Sequence, residues 1–297
     1  MNPTLTLDVH NDLRELVQYP FMVHALEAGA IVAVLASVVG WFMILRRGAF
    51  VGHTLSVMAF PGAAGAALAG LPAALGFYLA CAASALTIGL TRIPVARTVG
   101  GETALIGTVQ AAGLAAGFLF LSLSNEILTG LETLLFGTFL GVSSGQVVSL
   151  LAAAAGALGA LAVIARPLLF STFDPEVARA RGVPVRALDV AFLLILAVAV
   201  AATSQITGAL LSFALLVAPP ATAQLLTSRP LAGVVLSVAI SLAIAWLGLA
   251  AAYFSIYPVG FYTTTFALAA YLLAWSGRAA HRRLTARGRR AVAAQVS

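Results

Sequence analysis

The sequence predicts an all-α fold, a polytopic membrane helix bundle of about eight or nine transmembrane helices, and three observations predict it. Of 297 residues, 61% are hydrophobic and 9% charged, whereas a soluble domain carries roughly 25% charged residues. The apolar residues come in runs of about 20, the length an α-helix needs to cross a bilayer core. All 16 basic residues are arginine, and apart from Arg14 they sit in the short joints between runs and in the C-terminal tail. The net charge of +6 therefore reflects membrane topology rather than nucleic-acid binding.

In chain order, residues 1–20 are polar and acidic, without the basic-then-apolar start of a cleavable signal peptide. Candidate spans follow at 21–45, 50–70, 72–90, 104–123, 146–165, 188–203, 207–226, 231–254 and 261–275. Joints carrying Arg46/Arg47, Arg92/Arg97, Arg166 with Arg179, Arg181 and Arg186, and Arg229 read as cytoplasmic, as does the tail from Arg278. The alternate joints, at 70–72, 124–126, 204–206 and 255–260, are short and uncharged or acidic. If 126–142 crossed fully, Arg166 and the arginines after it would move outside. That segment, with Gly130, Gly137 and Gly141, reads instead as a short or re-entrant helix, tolerated at membrane depth where protein buries it or it lines a cavity. Glu126 and Glu132 then face the outer side, the N-terminus lies outside and the C-terminus inside the cell membrane. The organisation is a polar segment 1–20, one integral membrane domain 21–277 and a basic tail 278–297, expected to fray and to meet anionic lipid headgroups.

The one long charged stretch in mid-chain begins at Asp174. Asp174 before Pro175 and Glu176 reads as a helix start, 177–181 as helix formers and Gly182 as a stop. This helix of about two turns is too short and polar to cross a bilayer. It is expected to lie flat on the cytoplasmic face, where a soluble partner can push on it. Two spans contain proline breaks, Pro61-Gly62 and Pro219-Pro220. Such breaks either line a pathway or are the kinks that membrane bundles routinely tolerate. His24 and Glu27 lie three positions apart and share a helix face. An ionisable residue in a span is expensive and marks a pathway, partner or relay by default, although this pair also suits an interfacial position near the outer boundary.

Several functions are excluded by what the chain lacks. Without lysine there is no G-x-x-x-x-G-K-[ST] loop, so any ATP that drives the chain is bound by a second protein. Cys81 stands alone in an apolar run and reads as a small core residue, with neither disulfide framework nor thiolate cluster. An intramembrane enzyme would need a Ser/His pair or H-E-x-x-H, and neither spacing appears.

The stretch Arg46-Arg47-Gly48-Ala49-Phe50-Val51-Gly52-His53-Thr54-Leu55-Ser56, followed by Pro61-Gly62, resembles the signature of the zinc/manganese/iron family of ABC importer permeases. Gly101-Glu102-Thr103-Ala104 is similar to that family's acidic-Thr-Ala opening of the fourth span, with Leu105 inserted. Leu135-Phe136-Gly137 matches its Leu-Phe-Gly segment, 173–183 its coupling helix, and Ala218-Pro219-Pro220-Ala221 its proline-bearing seventh span. The likeness runs from about 21 to 275. It implies the fold of the cobalamin and siderophore importers, a homodimer, and a transport subunit rather than an enzyme. An ATP-binding subunit would dock on the coupling helix (Asp174, Pro175, Glu176, Ala178, Gly182), and an extracytoplasmic metal-binding protein on the outer face. The substrate implied is a divalent transition metal, with no cofactor bound by this chain.

The departures from that pattern bear on the metal. Family members usually carry Asp where this chain has His53, and His where it has Val57, on the face of the second span that contributes to metal passage. Imidazole and carboxylate both suit first-row ions, and the exchange toward nitrogen favours zinc, with manganese and iron as alternatives. His24, Glu27 and His53 are read as a loose replacement site, against the plainer reading of His53 as a hydrogen-bonded packing residue. Glu102 joins them as a pathway candidate, or is an acid favoured by the helix dipole. An ion-gradient-driven secondary transporter is the alternative class. It calls for several intramembrane carboxylates and inverted repeats, and the spans hold few acids and no visible repeat.

Overall fold

The computed structural model describes residues 18–95, 101–124, 135, 137, 141–255 and 257–296. Among these the chain is helical and has no strand: α1 (Pro20–Leu45), α2 (Ala49–Leu68), α3 (Ala73–Val95), α4 (Gly101–Leu123), α5 (Ser144–Phe173), α6 (Pro175–Ala180), α7 (Val185–Leu226), α8 (Pro230–Tyr253) and α9 (Val259–Val296). Eight segments are long and apolar enough to cross a membrane, and Leu211–Leu226 is a shorter apolar helix. Together they match the predicted spans. The segment expected to be re-entrant lies mostly outside the described residues.

α7 is a hairpin. Gly208 inside it has φ 77 and ψ 162, and Ser204 Oγ donates to Ser212 Oγ at 3.1 Å. Eight residues of continuous helix would separate those serines by about 12 Å along the axis, so the chain doubles back at Gly208. The sequence placed this joint at 204–206, on its polar residues. Those residues are instead helical, and the Thr203 and Thr207 hydroxyls are satisfied within the helix by donating to the carbonyls one turn back, Ala199 O at 2.7 Å and Thr203 O at 3.0 Å. At the turn, Gly137 (φ 73) and Gly208 face each other backbone to backbone. A Cβ on Gly137 would come within 2.2 Å of Ile206 O, and one on Gly208 within 2.3 Å of Leu135 O.

Neither proline pair breaks its helix. α2 runs through Pro61 and the second arm of α7 through Pro219 and Pro220. Proline at 220 removes the donor for Leu216 O. Gly40 of α1 packs over that carbonyl so closely that a Cβ there would sit 2.1 Å away, which shields the freed oxygen. At Gly62 the same closeness brings α2 onto α3, where a Cβ would meet Gly76 O at 2.3 Å. These are packing seams. α9 runs to Val296, in keeping with the helix-forming Ala and Arg of that tail. Cys81 is buried and free, as expected of a core residue.

Arg46 and Arg278, two of the arginines that read as cytoplasmic, lie at one end of the bundle. Arg46, at the C-cap of α1, forms an ion pair with Asp189 of α7, donates to Thr172 Oγ1 of α5 at 2.9 Å, and lies 5.5 Å from the Phe192 ring centroid. Gln224 Nε2 donates to Trp41 O at 3.0 Å, and Arg278 donates to Leu225 O.

Candidate functional site

The predicted two-turn helix is α6, held out at the arginine-bearing end. Asp174 is its N-cap, accepting the Val177 N–H at 3.0 Å, and Pro175 opens the first turn. Gly182 (φ 78) closes it, with Gly182 N donating to Arg179 O and Val183 N to Ala178 O, both at 3.0 Å, the paired bonds of a Schellman stop. Ala178 is fully buried and pins the helix to the bundle. Asp174, Glu176 and Arg179 are exposed beside the apolar Phe173 and Val177, which are 69% and 41% accessible. α6 thus presents a mixed apolar and charged face outward, suited to a protein partner. The two helices that flank it, α5 and α7, are the ones Arg46 ties to the α1–α2 turn.

Seven residues beyond Arg46, on α2, lies His53. Its ring packs edge-on against Phe213 of the second α7 arm, centroids 4.9 Å apart. Nε2 lies 3.4 Å from the amide of Gln110 on α4, while Nδ1 is buried with no hydrogen-bond partner. The same Gln110 amide reaches Thr54 Oγ1 at 3.3 Å, and Thr54 Oγ1 is 3.1 Å from Phe50 O. His53, packed among α2, α4 and the second arm of α7, therefore has one nitrogen engaged and one buried without a partner. Val57, where the resemblance expects a second ligand, is buried apolar surface.

The structure does not gather His24 and Glu27 around His53. The pair sits in the first two turns of α1, with His24 about 32 Å of helix rise from Leu45, whereas His53 lies one turn into α2 at the opposite end. A single continuous α1 keeps them apart, and among the described residues no three His, Cys, Asp or Glu side chains come together. Glu102 falls in the first turn of α4, and its side chain is outside the described residues. Sequence reading missed Gln110, Phe213 and the Arg46–Asp189 pair. Arg46 was read only as a joint and signature arginine, and Asp189 carried a signal as a lone acid near the start of a span.

A helical membrane bundle with a capped, outward-facing helix at its arginine-bearing end has the build of the membrane subunit of an ABC importer. The chain belongs to the ABC 3 transport family, whose model matches residues 18–277. It is 32% identical over 219 residues to the manganese transport system membrane protein MntC of Halalkalibacterium halodurans, covering 72% of this chain and 73% of that one. It is 31% identical over 211 residues to the chelated iron transport system membrane protein YfeC of Yersinia pestis, covering 71% and 70%. Its fold is similar to that of PsaBC from Streptococcus pneumoniae, solved in complex with Fab, with a TM-score of 0.80 at 24% identity over 90% of this chain and 95% of that one. With these relatives it falls in a family of metal ABC importer permeases.

Proposed function

We propose that this permease imports a divalent first-row transition metal, zinc before iron or manganese, with His53 as a ligand on the path. The available Nδ1 of His53 carries the reading. An imidazole in place of the family's carboxylate shifts preference from manganese, the weakest binder of nitrogen ligands in the first-row series, toward the nitrogen-preferring ions. A partner ATPase pushes on α6 from the cytoplasm, and an extracytoplasmic binding protein delivers metal at the other end. Two copies of the chain form the pathway, so that each supplies one His53 and neither needs a complete ligand set of its own.

Metal accumulation in cells lacking the gene, grown under chelation, tests this directly. Zinc is expected to be the ion whose uptake the wild-type gene restores, and restoration of manganese alone would overturn the zinc assignment while leaving the permease role. His53→Ala should abolish uptake at normal membrane levels. His53→Asp should retain part of it and move the zinc-to-manganese uptake ratio toward manganese.

A further inference from the structure

Three contacts run in series from α2 to α4 and back: Phe50 O to Thr54 Oγ1 at 3.1 Å, Thr54 Oγ1 to the Gln110 amide at 3.3 Å, and the other amide terminus to His53 Nε2 at 3.4 Å. Rotating the Gln110 amide by 180° exchanges its oxygen and nitrogen without moving any other group. The number of hydrogens decides between the two orientations.

With the amide oxygen toward Thr54, the single Thr54 hydroxyl hydrogen faces two acceptors, Phe50 O and Gln110 Oε1, and one contact goes without a hydrogen. The Gln110 amino group then donates to Nε2, which forces the imidazole proton onto Nδ1, a buried atom with no acceptor. A buried N–H without a partner costs about 1–3 kcal/mol, and a buried lone pair without a donor is also unsatisfied, so the supply of hydrogens at Thr54 decides between the orientations. With the amide reversed, every contact has its own hydrogen: Thr54 donates to Phe50 O, the Gln110 amino group donates to Thr54 Oγ1, and Nε2–H donates to Gln110 Oε1. Nδ1 is left as a bare lone pair, the form in which imidazole binds a metal.

We infer that Gln110 is a positioning residue that fixes His53 in the Nε2–H tautomer and so presents Nδ1 as the ligand atom. This rests on the reading of His53 as a pathway ligand. Metal-binding histidines characteristically donate their second N–H to a neighbouring acceptor, which fixes tautomer and ring orientation, and loss of that acceptor weakens metal binding about 10–100-fold. Here a neutral amide on a separate helix does this, with Thr54 fixing the amide and the Phe213 edge fixing the ring.

The tautomer can be read without any transport assay. Full-length permease with 15N-labelled histidine is reconstituted in lipid nanodiscs, and the His53 nitrogens are identified by difference against His53→Gln. The expected spectrum has Nε2 protonated and Nδ1 bare, and Gln110→Leu should turn it into a tautomer mixture. A proton on Nδ1 in the wild type, or an unchanged tautomer in Gln110→Leu, overturns the inference. In metal uptake, Gln110→Leu should raise the apparent KM about 10-fold or more at unchanged membrane level. Gln110→Glu, which keeps an acceptor for Nε2–H, should stay within a few-fold of wild type. If His53→Ala transports normally, the pathway reading itself fails. If His53→Ala loses uptake and Gln110→Leu does not, His53 is a ligand and Gln110 does not position it.

Discussion

At the arginine-bearing end the helices are joined by long side chains. Arg46 reaches α5 and α7 together, Gln224 reaches the α1 backbone and Arg278 the end of α7. Toward the other end backbones meet with little or nothing between them, Gly137 against Gly208 and Gly62 against Gly76, and a further seam, Gly40 against Leu216 O, lies nearer the arginine-bearing end. Side-chain bonds can lengthen, rotate or exchange partners at small cost, whereas backbones in direct contact leave no slack. The difference teaches where movement can enter. α6 is attached at the end that can give, and the glycine seams supply a rigid counterpart.

The largest effect is expected where the backbones touch. Gly208→Val adds a branched side chain at positive φ and drives it into Leu135 O, a combined cost of several kcal/mol. Folded protein in the membrane should fall below detection by size-exclusion fluorescence, and a wild-type melting profile would remove the seam from the account. Next comes the ion pair. Arg46→Gln or Asp189→Asn should lower stability by about 1–2 kcal/mol, since both side chains are partly exposed. The effect on partner-supplied ATP hydrolysis should be larger than the effect on melting, and equal losses in the two assays would make Arg46 a merely structural clamp.

Smaller still is the cap of α6. Asp174→Ala removes one capping bond, about 1 kcal/mol confined to that helix. Melting should hardly move while metal-dependent ATP hydrolysis drops, and Glu176→Ala should behave similarly. Gly182→Trp, at a φ that side chains rarely adopt, should uncouple the ATPase with every span intact, and full transport by it would dismiss α6 as the docking element. The smallest effect belongs to the α1 pair. His24→Ala with Glu27→Ala should alter stability by no more than about 0.5 kcal/mol and leave uptake unchanged in a radiometal assay. A strong uptake defect would bring the first span back into the pathway.

What could be read from the sequence was what is decided locally. The α6 helix was legible to the residue because its start and stop are chosen by Asp174, Pro175 and Gly182, all within one short stretch. The spans were legible because bilayer thickness sets their length. The hairpin turn was misplaced by a few residues, since hydroxyl side chains that look like a loop can fold back onto their own helix. The sequence left open whether the prolines line a pathway or are tolerated kinks, because the continuity of the helix depends on Gly40 shielding Leu216 O from far away in sequence. Gln110 gave no signal at all. It is uncharged, sits in an ordinary apolar run, and acquires its role only when α4 packs on α2.

The doubling back at Gly208 also bears on how the chain enters the membrane. Leu211–Leu226 is an apolar helix too short to be counted with the full-length spans, reaching about 24 Å at 1.5 Å per residue against a hydrocarbon core of about 30 Å. As a newly made segment it is a poor substrate for insertion on its own. Its companion from Val185 is long and strongly apolar. Biogenesis of this region should therefore proceed in pairs, the first arm entering the lipid on its own apolarity and the second following it by packing against that arm as the hairpin closes.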